Sequence, residues 1–316
     1  EGRGESVWLG WFLAHVLTSF AEVCRSRAPE LAAEYRQEAR ELVRALEETA
    51  WDGSWYLRAF FDDGTPLGSA GNMEARIDLL PQAWAAIAGL GDPARARQAV
   101  LAAEKELVRG DPPLVALFAP PFAATTLDPG YIKAYPPGVR ENGGQYTHGA
   151  LWLAMALARL DEPDRAYRVL KLLNPIERAD TPEEAARYRT EPYVVASDVY
   201  AAPDRFGQGG WTWYTGSSGW MYRIWLEEIL GFRRRGARLE FAPCLPGPWP
   251  GYRLSYRFGE TRYEVRVEKP EGSSPRAFAV ECDGRPMMDG SVPLVDDGGV
   301  HEIAVRAVEG SVGGRN

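Results

Sequence analysis

Two kinds of hydrophobic pattern alternate along the first two thirds of the chain. Ser6 to Arg27 is apolar almost throughout, whereas Glu30 to Thr49 is apolar on one side, with Leu31, Tyr35, Leu42 and Leu46 near helical spacing. Pro29 stands at the start of the second segment, where a missing N–H costs nothing, so the pair predicts an αα-hairpin. The pairing recurs in Ile77 to Leu90 with Pro93 to Val108, joined by Gly91-Asp92, and in His148 to Leu160 with Pro163 to Leu173, joined by Asp161-Glu162. A last apolar helix is expected over Ser217 to Leu230. No fixed period accompanies these pairs, which argues against a short-repeat solenoid. Inner helices buried all round and outer helices half in water describe the two layers of an α/α barrel. Beyond Arg233-Arg234-Arg235 the period changes from helical to twofold. Arg253 to Lys269 alternates polar and apolar about Gly259-Glu260, which predicts a β-hairpin. Ala277 to Cys282 and Val300 to Val308 alternate too, with Asp283-Gly284 and Asp297-Gly298 as turns. The pattern therefore divides the chain into a helical part, 1–232, and a small antiparallel β-domain, 233–316, in which Ser311 to Asn316 reads as a frayed tail.

Composition narrows the function classes. A length of 316 residues suits one large and one small domain, and 45% hydrophobic residues suffice for a core. A formal net charge of −8 argues against nucleic acid or an anionic membrane surface as partner. The 11 tryptophans and 14 tyrosines fit either carbohydrate stacking platforms or a large helical core. Cys24, Cys244 and Cys282 show neither metal spacing nor a disulfide framework, so a reducing cytoplasm is the default location. No apolar run approaches the length that spans a bilayer, and no signal peptide is visible. The chain opens on Glu-Gly-Arg-Gly rather than Met, as a fragment or processed product would.

Candidate chemistry concentrates in two stretches. Tyr135 to His148 closes a long segment with little helical or strand pattern, and such loops are often functional. Pro136, Pro137 and Gly138 force a turn, Arg140 and Glu141 present opposite charges, and Gly143-Gly144 lets something approach the backbone. His148 stands where a helix begins, and exposed N–H groups beside an imidazole suit an anion; a structural loop with His148 as a helix cap is the other reading. Trp211 to Trp220 places Thr215, Gly216, Ser217 and Ser218 just before a helical run, fit for phosphate or for capping alone. Glu191 and Asp198 lie in loops, Glu191 beside Pro192 as a structural residue.

The run Tyr-Pro-Pro-Gly-Val-Arg-Glu-Asn-Gly-Gly, ending on His148, resembles the active-site loop of the cellobiose-phosphorylase-like family of glycoside hydrolases and phosphorylases. The likeness covers most of the chain and is greatest to the phosphorylase-like C-terminal domain of cyclic β-1,2-glucan synthases and to β-1,2-oligoglucan phosphorylases. The resemblance implies a six-hairpin α/α barrel, here represented by three hairpins and a final helix, followed by a small antiparallel β-domain. It implies that His148, Thr215 and Gly216 contact inorganic phosphate, a co-substrate with no further cofactor and no metal, and that Tyr135, Arg140 and Glu141 line the acceptor-sugar site. Some members add a glutamine where this chain has Ala196 and Ser197, and that third phosphate contact is not transferred. Trp51 to Trp55 matches a family segment and reads as packed wall structure.

An inverting hydrolase needs an acid and a base, whereas a phosphorylase needs the acid alone, its phosphate being held by donors. An anion site where a base would stand favours phosphorolysis. The family's general acid closes an Asp-Trp-Asn-Asp motif expected upstream of Gly2 to Phe12, so no catalytic residue is assigned in this chain. The implied parent reaction is β-glucan plus phosphate giving α-glucose 1-phosphate, on the cytoplasmic side of a membrane where the parent is a synthase. The chain alone is expected to be silent and to expose inner faces such as Trp8, Trp11 and Phe12, which would pack on the missing upstream chain or on a second copy. An α/α-barrel hydrolase and a non-catalytic glycan-binding module are the alternatives.

Overall fold

The computed structural model describes residues 2–308, apart from 214, 215, 271, 274 and 276. The tail expected at Ser311 to Asn316 lies outside the described residues. The chain divides into two compact units, residues 1–156 with 169–220 and residues 157–168 with 221–316.

Helices α1 (Val7–Cys24), α2 (Pro29–Thr49), α3 (Leu79–Ala88) and α4 (Pro93–Leu107) form the first two expected hairpins. Punctuation in the sequence explains their ends. Asp92 accepts from the Ala94 and Arg95 amides at 2.8 and 2.9 Å, with Pro93 in the first turn, and so starts α4. Asp78 accepts from Leu80 N at 2.8 Å and pairs with Arg58 at 3.1 Å, while Gly89 in the left-handed region closes α3. Every residue from Leu79 to Ile87 is buried, as an inner helix requires.

The inner-helix pattern is only half true of α1. Trp11 is fully buried, edge-on to Tyr56 at 5.2 Å, so it does not belong to the open face that the sequence led us to expect. Phe12 does belong to it, together with Leu9, Leu13, Val16, Phe20 and Val23. α1 also reaches the length and composition of a membrane-crossing segment, which corrects the expectation that no run approaches it. The same features suit a core helix, and α1 packs against α2 and α3.

The third hairpin is α5 (Thr147–Arg159) with α6 (Pro163–Leu173). A short helix that the apolar pattern did not mark, α7 (Pro182–Tyr188), opens on a capping box in which Thr181 and Glu184 bond each other's backbone amides. The last helix is α only as α8 (Ser217–Arg223) and turns π-wound over Ile224–Ile229. Along that wider turn Glu228 is buried between Arg159 at 3.1 Å and Arg233 at 2.7 Å.

Among the described residues the second unit contains eight strands: β1 (Phe232–Arg235), β2 (Arg238–Phe241), β3 (Gly251–Phe258), β4 (Thr261–Glu268), β5 (Phe278–Cys282), β6 (Arg285–Pro286), β7 (Ser291–Pro293) and β8 (Val300–Ala307). They form a sheet β1-β2-β7 and a sheet β3-β4-β8-β5-β6. The pairings are antiparallel except for β4 with β8, which run parallel in the register Val265↔Ile303. The β3–β4 hairpin turns at Gly259-Glu260 as its alternation predicts. Tyr263, Val265, Val267, Ile303 and Val305 point into the core shared with Phe232 and Leu239. Residues 157–168 join this unit because Asp164 accepts from Gly247 N at 2.7 Å and Cys244 Sγ meets Ala158 O at 3.5 Å. At one end of the larger sheet His301 stands 2.7 Å from Asp283 and 3.3 Å from Asp297, and Cys282 completes a group with metal-ligand atom types.

Candidate functional site

All described site residues named from the sequence lie in the first unit. The Tyr135–His148 loop is built around Asn142, which is fully buried. Its side-chain oxygen accepts from Phe122 N at 2.8 Å, and its amide donates to Phe122 O at 2.9 Å and Tyr135 O at 2.7 Å. Gly138 takes a positive φ, and a Cβ there would stand 2.5 Å from Ala202 N, so the turn needs glycine to seat against the neighbouring loop. Arg140 is forced into the left-handed region at φ 51, which sets it and Glu141 at the tip of the turn.

Arg140 and Glu141 go separate ways. The Arg140 guanidinium lies over two rings, 5.6 Å from the Tyr135 centroid and 4.9 Å from the Trp211 centroid. Glu141 makes no ion pair among the described residues, and its Oε2 is buried without a hydrogen-bond partner. Burial first, and the Glu141 charge second, push the Tyr131 and Tyr146 phenols above their ordinary range. Glu141 thus holds a buried carboxylate oxygen with an unfilled acceptor position, near the Tyr131 and Tyr146 phenols.

His148 opens the second group. Gln145 and Tyr146 pair with Val199 and Asp198, and Gln145 is locked by Arg178 Nη2 at 2.9 Å, which fixes the chain entering α5. The His148 ring stacks on Tyr146 at 5.7 Å and meets Trp152 edge-on at 6.0 Å. Its Nδ1 is 3.2 Å from the hydroxyl of buried Ser217, and Nε2 is 3.0 Å from where a Cβ on Gly216 would stand. Burial holds the imidazole below its ordinary pKa, so it is neutral at pH 7. In the tautomer in which Ser217 Oγ donates to Nδ1, Nε2 carries the proton, and it is Nε2 that faces the bare Gly216 backbone. Thr215 lies outside the described residues.

The structure thus brings His148 to Gly216, and Arg140 to Tyr135. Tyr146 links the groups, since it stacks on His148 and feels the charges of Glu141 and Arg140. Sequence reasoning gave no role to Asn142, Tyr146 or Trp211, and gave Ser217 only phosphate binding or capping, although all four stand inside the two quoted stretches. Asp198 received none either. It is buried, and its Oδ1 accepts from Trp211 N at 3.1 Å and from the Ser197 hydroxyl at 2.9 Å, whereas Oδ2 has no partner. Glu191 is structural in one respect, accepting from Trp213 Nε1 at 2.8 Å.

Residues 1–231 match the catalytic domain of the glycosyl hydrolase 94 superfamily, and residues 232–274 match the C-terminal domain of glycosyl hydrolase family 65. Cyclic beta-(1,2)-glucan synthase NdvB of Rhizobium meliloti is 47% identical over 281 residues, covering 88% of this chain and 10% of that protein. Solabiose phosphorylase of Paenibacillus borealis is 29% identical, covering 96% of this chain and 39% of its own. N,N'-diacetylchitobiose phosphorylase of Vibrio proteolyticus is 28% identical over the same share of this chain and 38% of its own. The chain therefore spans less than half of each of these relatives. With a match that runs from residue 1 through both loops of the site to residue 231, the chain belongs to the glycosyl hydrolase 94 superfamily.

Proposed function

We propose that this chain forms part of an inverting glycoside phosphorylase domain that acts on β-glucan, β-1,2-linked, with inorganic phosphate. The observation that carries the reading is the face formed by His148 Nε2 and the bare Gly216 backbone, 3.0 Å from a would-be Cβ. A neutral imidazole N–H and a side-chain-free backbone at a helix start offer donors to an anion. The family resemblance adds Thr215, which lies outside the described residues, as a further phosphate contact. Two relatives carry the name phosphorylase and one the name cyclic beta-(1,2)-glucan synthase, which supports both the reaction class and the linkage. The helical hairpins are then part of an α/α barrel.

In this reaction a phosphate oxygen attacks the anomeric carbon as the glycosidic C–O bond breaks. A general acid, assigned to no residue of this chain, protonates the leaving oxygen, and inversion converts the β-linkage to α-glucose 1-phosphate. The cradle holds the nucleophile's charge. The Glu141 carboxylate accepts hydroxyl hydrogen bonds from the acceptor sugar, and Arg140, held over the Tyr135 and Trp211 rings, donates to it. The test is release of α-glucose 1-phosphate from β-1,2-glucan by a full-length protein carrying this chain. Release that requires phosphate supports the reading; release of free glucose at the same rate without phosphate overturns it in favour of hydrolysis.

A further inference from the structure

Three large rings between residues 193 and 213 are left in water: Tyr193 is 72% exposed, Trp213 66% and Trp211 56%. None hangs loosely. Trp213 donates its Nε1 hydrogen to Glu191 Oε1 at 2.8 Å, and the Tyr193 ring meets Trp213 edge-on at 6.4 Å. Trp211 is held through its backbone amide by buried Asp198 and through its ring by Arg140. Trp213 also sits at φ 67, in the left-handed region that bulky side chains avoid. An exposed ring gains nothing from the core that would offset such strain. Strained, exposed and yet fixed residues mark places where function maintains the conformation.

Beside these rings lies a cleft of about 730 Å³, lined in part by Arg189, Thr190, Glu191, Gln208, Trp211 and Thr212. Its lining mixes donors and acceptors, and Thr190 Oγ1 is buried without a partner. Glu191 disfavours an anion, and the polar lining disfavours an apolar guest. Aromatic faces with interspersed hydroxyl, amide and charged groups fit a neutral pyranose, whose C–H face stacks and whose hydroxyls bond. Trp211 belongs both to this cleft and to the Arg140 stack, so a chain leaving the acceptor site past Arg140 meets the cleft next.

We infer that the cleft lined by Trp211, whose wall residue Glu191 holds the exposed Trp213 ring, is a remote subsite for a glucose unit of a longer glucan chain, distinct from the acceptor sugar at Glu141. The inference rests on the glucan reading above and names a chain-length preference that it does not contain. The experiment titrates β-1,2-linked gluco-oligosaccharides of two and of five units into the chain without phosphate, followed by tryptophan fluorescence and calorimetry. The pentasaccharide should bind roughly tenfold more tightly than the disaccharide, one stacked ring with its hydrogen bonds supplying the difference. Trp213→Ala should remove most of that advantage and leave the disaccharide within about twofold. Trp213→Gly, which relieves the left-handed φ, should do the same while the melting temperature holds or rises, which separates lost binding from lost folding. Equal affinity for both lengths, no pentasaccharide binding, or a proportional loss of both in the variants overturns the subsite. Binding is read without turnover, so a hydrolytic full-length protein with an intact length preference would remove phosphorolysis and keep the subsite, and the reverse pattern would remove the subsite alone.

Discussion

Replacing Glu141 by glutamine separates function from stability at one atom. Oε2 is buried with no donor, so the unliganded protein already bears the desolvation of an anionic oxygen, about 1–3 kcal/mol for such a group. Glu141→Gln keeps the shape and removes the charge, and the Tyr131 and Tyr146 phenols, held by burial first and Glu141 second above their ordinary range, stay neutral at pH 7 with or without it. The melting temperature should therefore hold or rise by about 1–3 °C. Acceptor binding should move the other way. A hydrogen bond to a charged acceptor contributes about 1.5–3 kcal/mol, which is roughly a tenfold to hundredfold change in affinity. The assay is synthesis from α-glucose 1-phosphate in a full-length protein carrying this chain, with acceptor and phosphate concentrations varied separately. Acceptor KM should rise by that factor with phosphate KM nearly unchanged. A variant that melts lower and keeps its acceptor KM would show that Glu141 is a structural residue and that the orphaned oxygen has another cause.

Three further perturbations test other parts of the structure. His148→Ala should raise phosphate KM, lower kcat, or both, since it removes the donor facing Gly216; unchanged phosphate kinetics would remove His148 from the cradle. Asn142→Ala leaves Phe122 N, Phe122 O and Tyr135 O without their side-chain partner, so urea denaturation should show a loss of roughly 3 kcal/mol, against less than 1 kcal/mol for an ordinary surface change. In the second unit, Asp283 first and Asp297 after it raise the His301 pKa above 6.5. Its pairing contributes fully below that value and fades as pH rises through the raised pKa, so His301→Gln should flatten the fall in melting temperature on the alkaline side of 6.5. An unaltered pH profile would count against the clamp.

How legible these features were depended on how local their causes are. The hairpins were readable because their ends are written in adjacent residues: Asp92 before Pro93, Pro29 before Glu30, Asp78 two residues before the amide that it caps. The β3–β4 hairpin was readable because alternation follows from burying one face. The π-wound stretch was not, since Glu228 is drawn inward by Arg159, 69 residues earlier in the chain. Strand β1 was not read as a strand, because its three arginines hide that Phe232 enters the core. α7 carried its own capping box, and attention to Thr181 and Glu184 would have found it. In the site, the Tyr135–His148 stretch announced itself by composition. The Arg140 stack did not, because half of it is Trp211, 71 positions away (211 less 140). The orphaned oxygens of Glu141 and Asp198 belong to packing, which no spacing rule encodes.

Tyr146 gives the two halves of the site a common wall, and that has a consequence for the order of events. Its ring stacks on His148, and its hydroxyl feels the charge of Glu141. Two guests that act on one side chain, one through its ring contact with His148 and one through the Glu141 charge, do not bind independently. A sugar hydroxyl that satisfies Glu141 lessens the negative field on the phenol, and a phosphate drawn against His148 restores some of it. Whatever factor the first guest imposes on the second, the second imposes on the first, because binding free energies close around a thermodynamic cycle. Initial-rate patterns with both substrates varied would then intersect away from the axis, and Tyr146→Phe, which keeps the stack and removes the hydroxyl, would move the crossing point toward it.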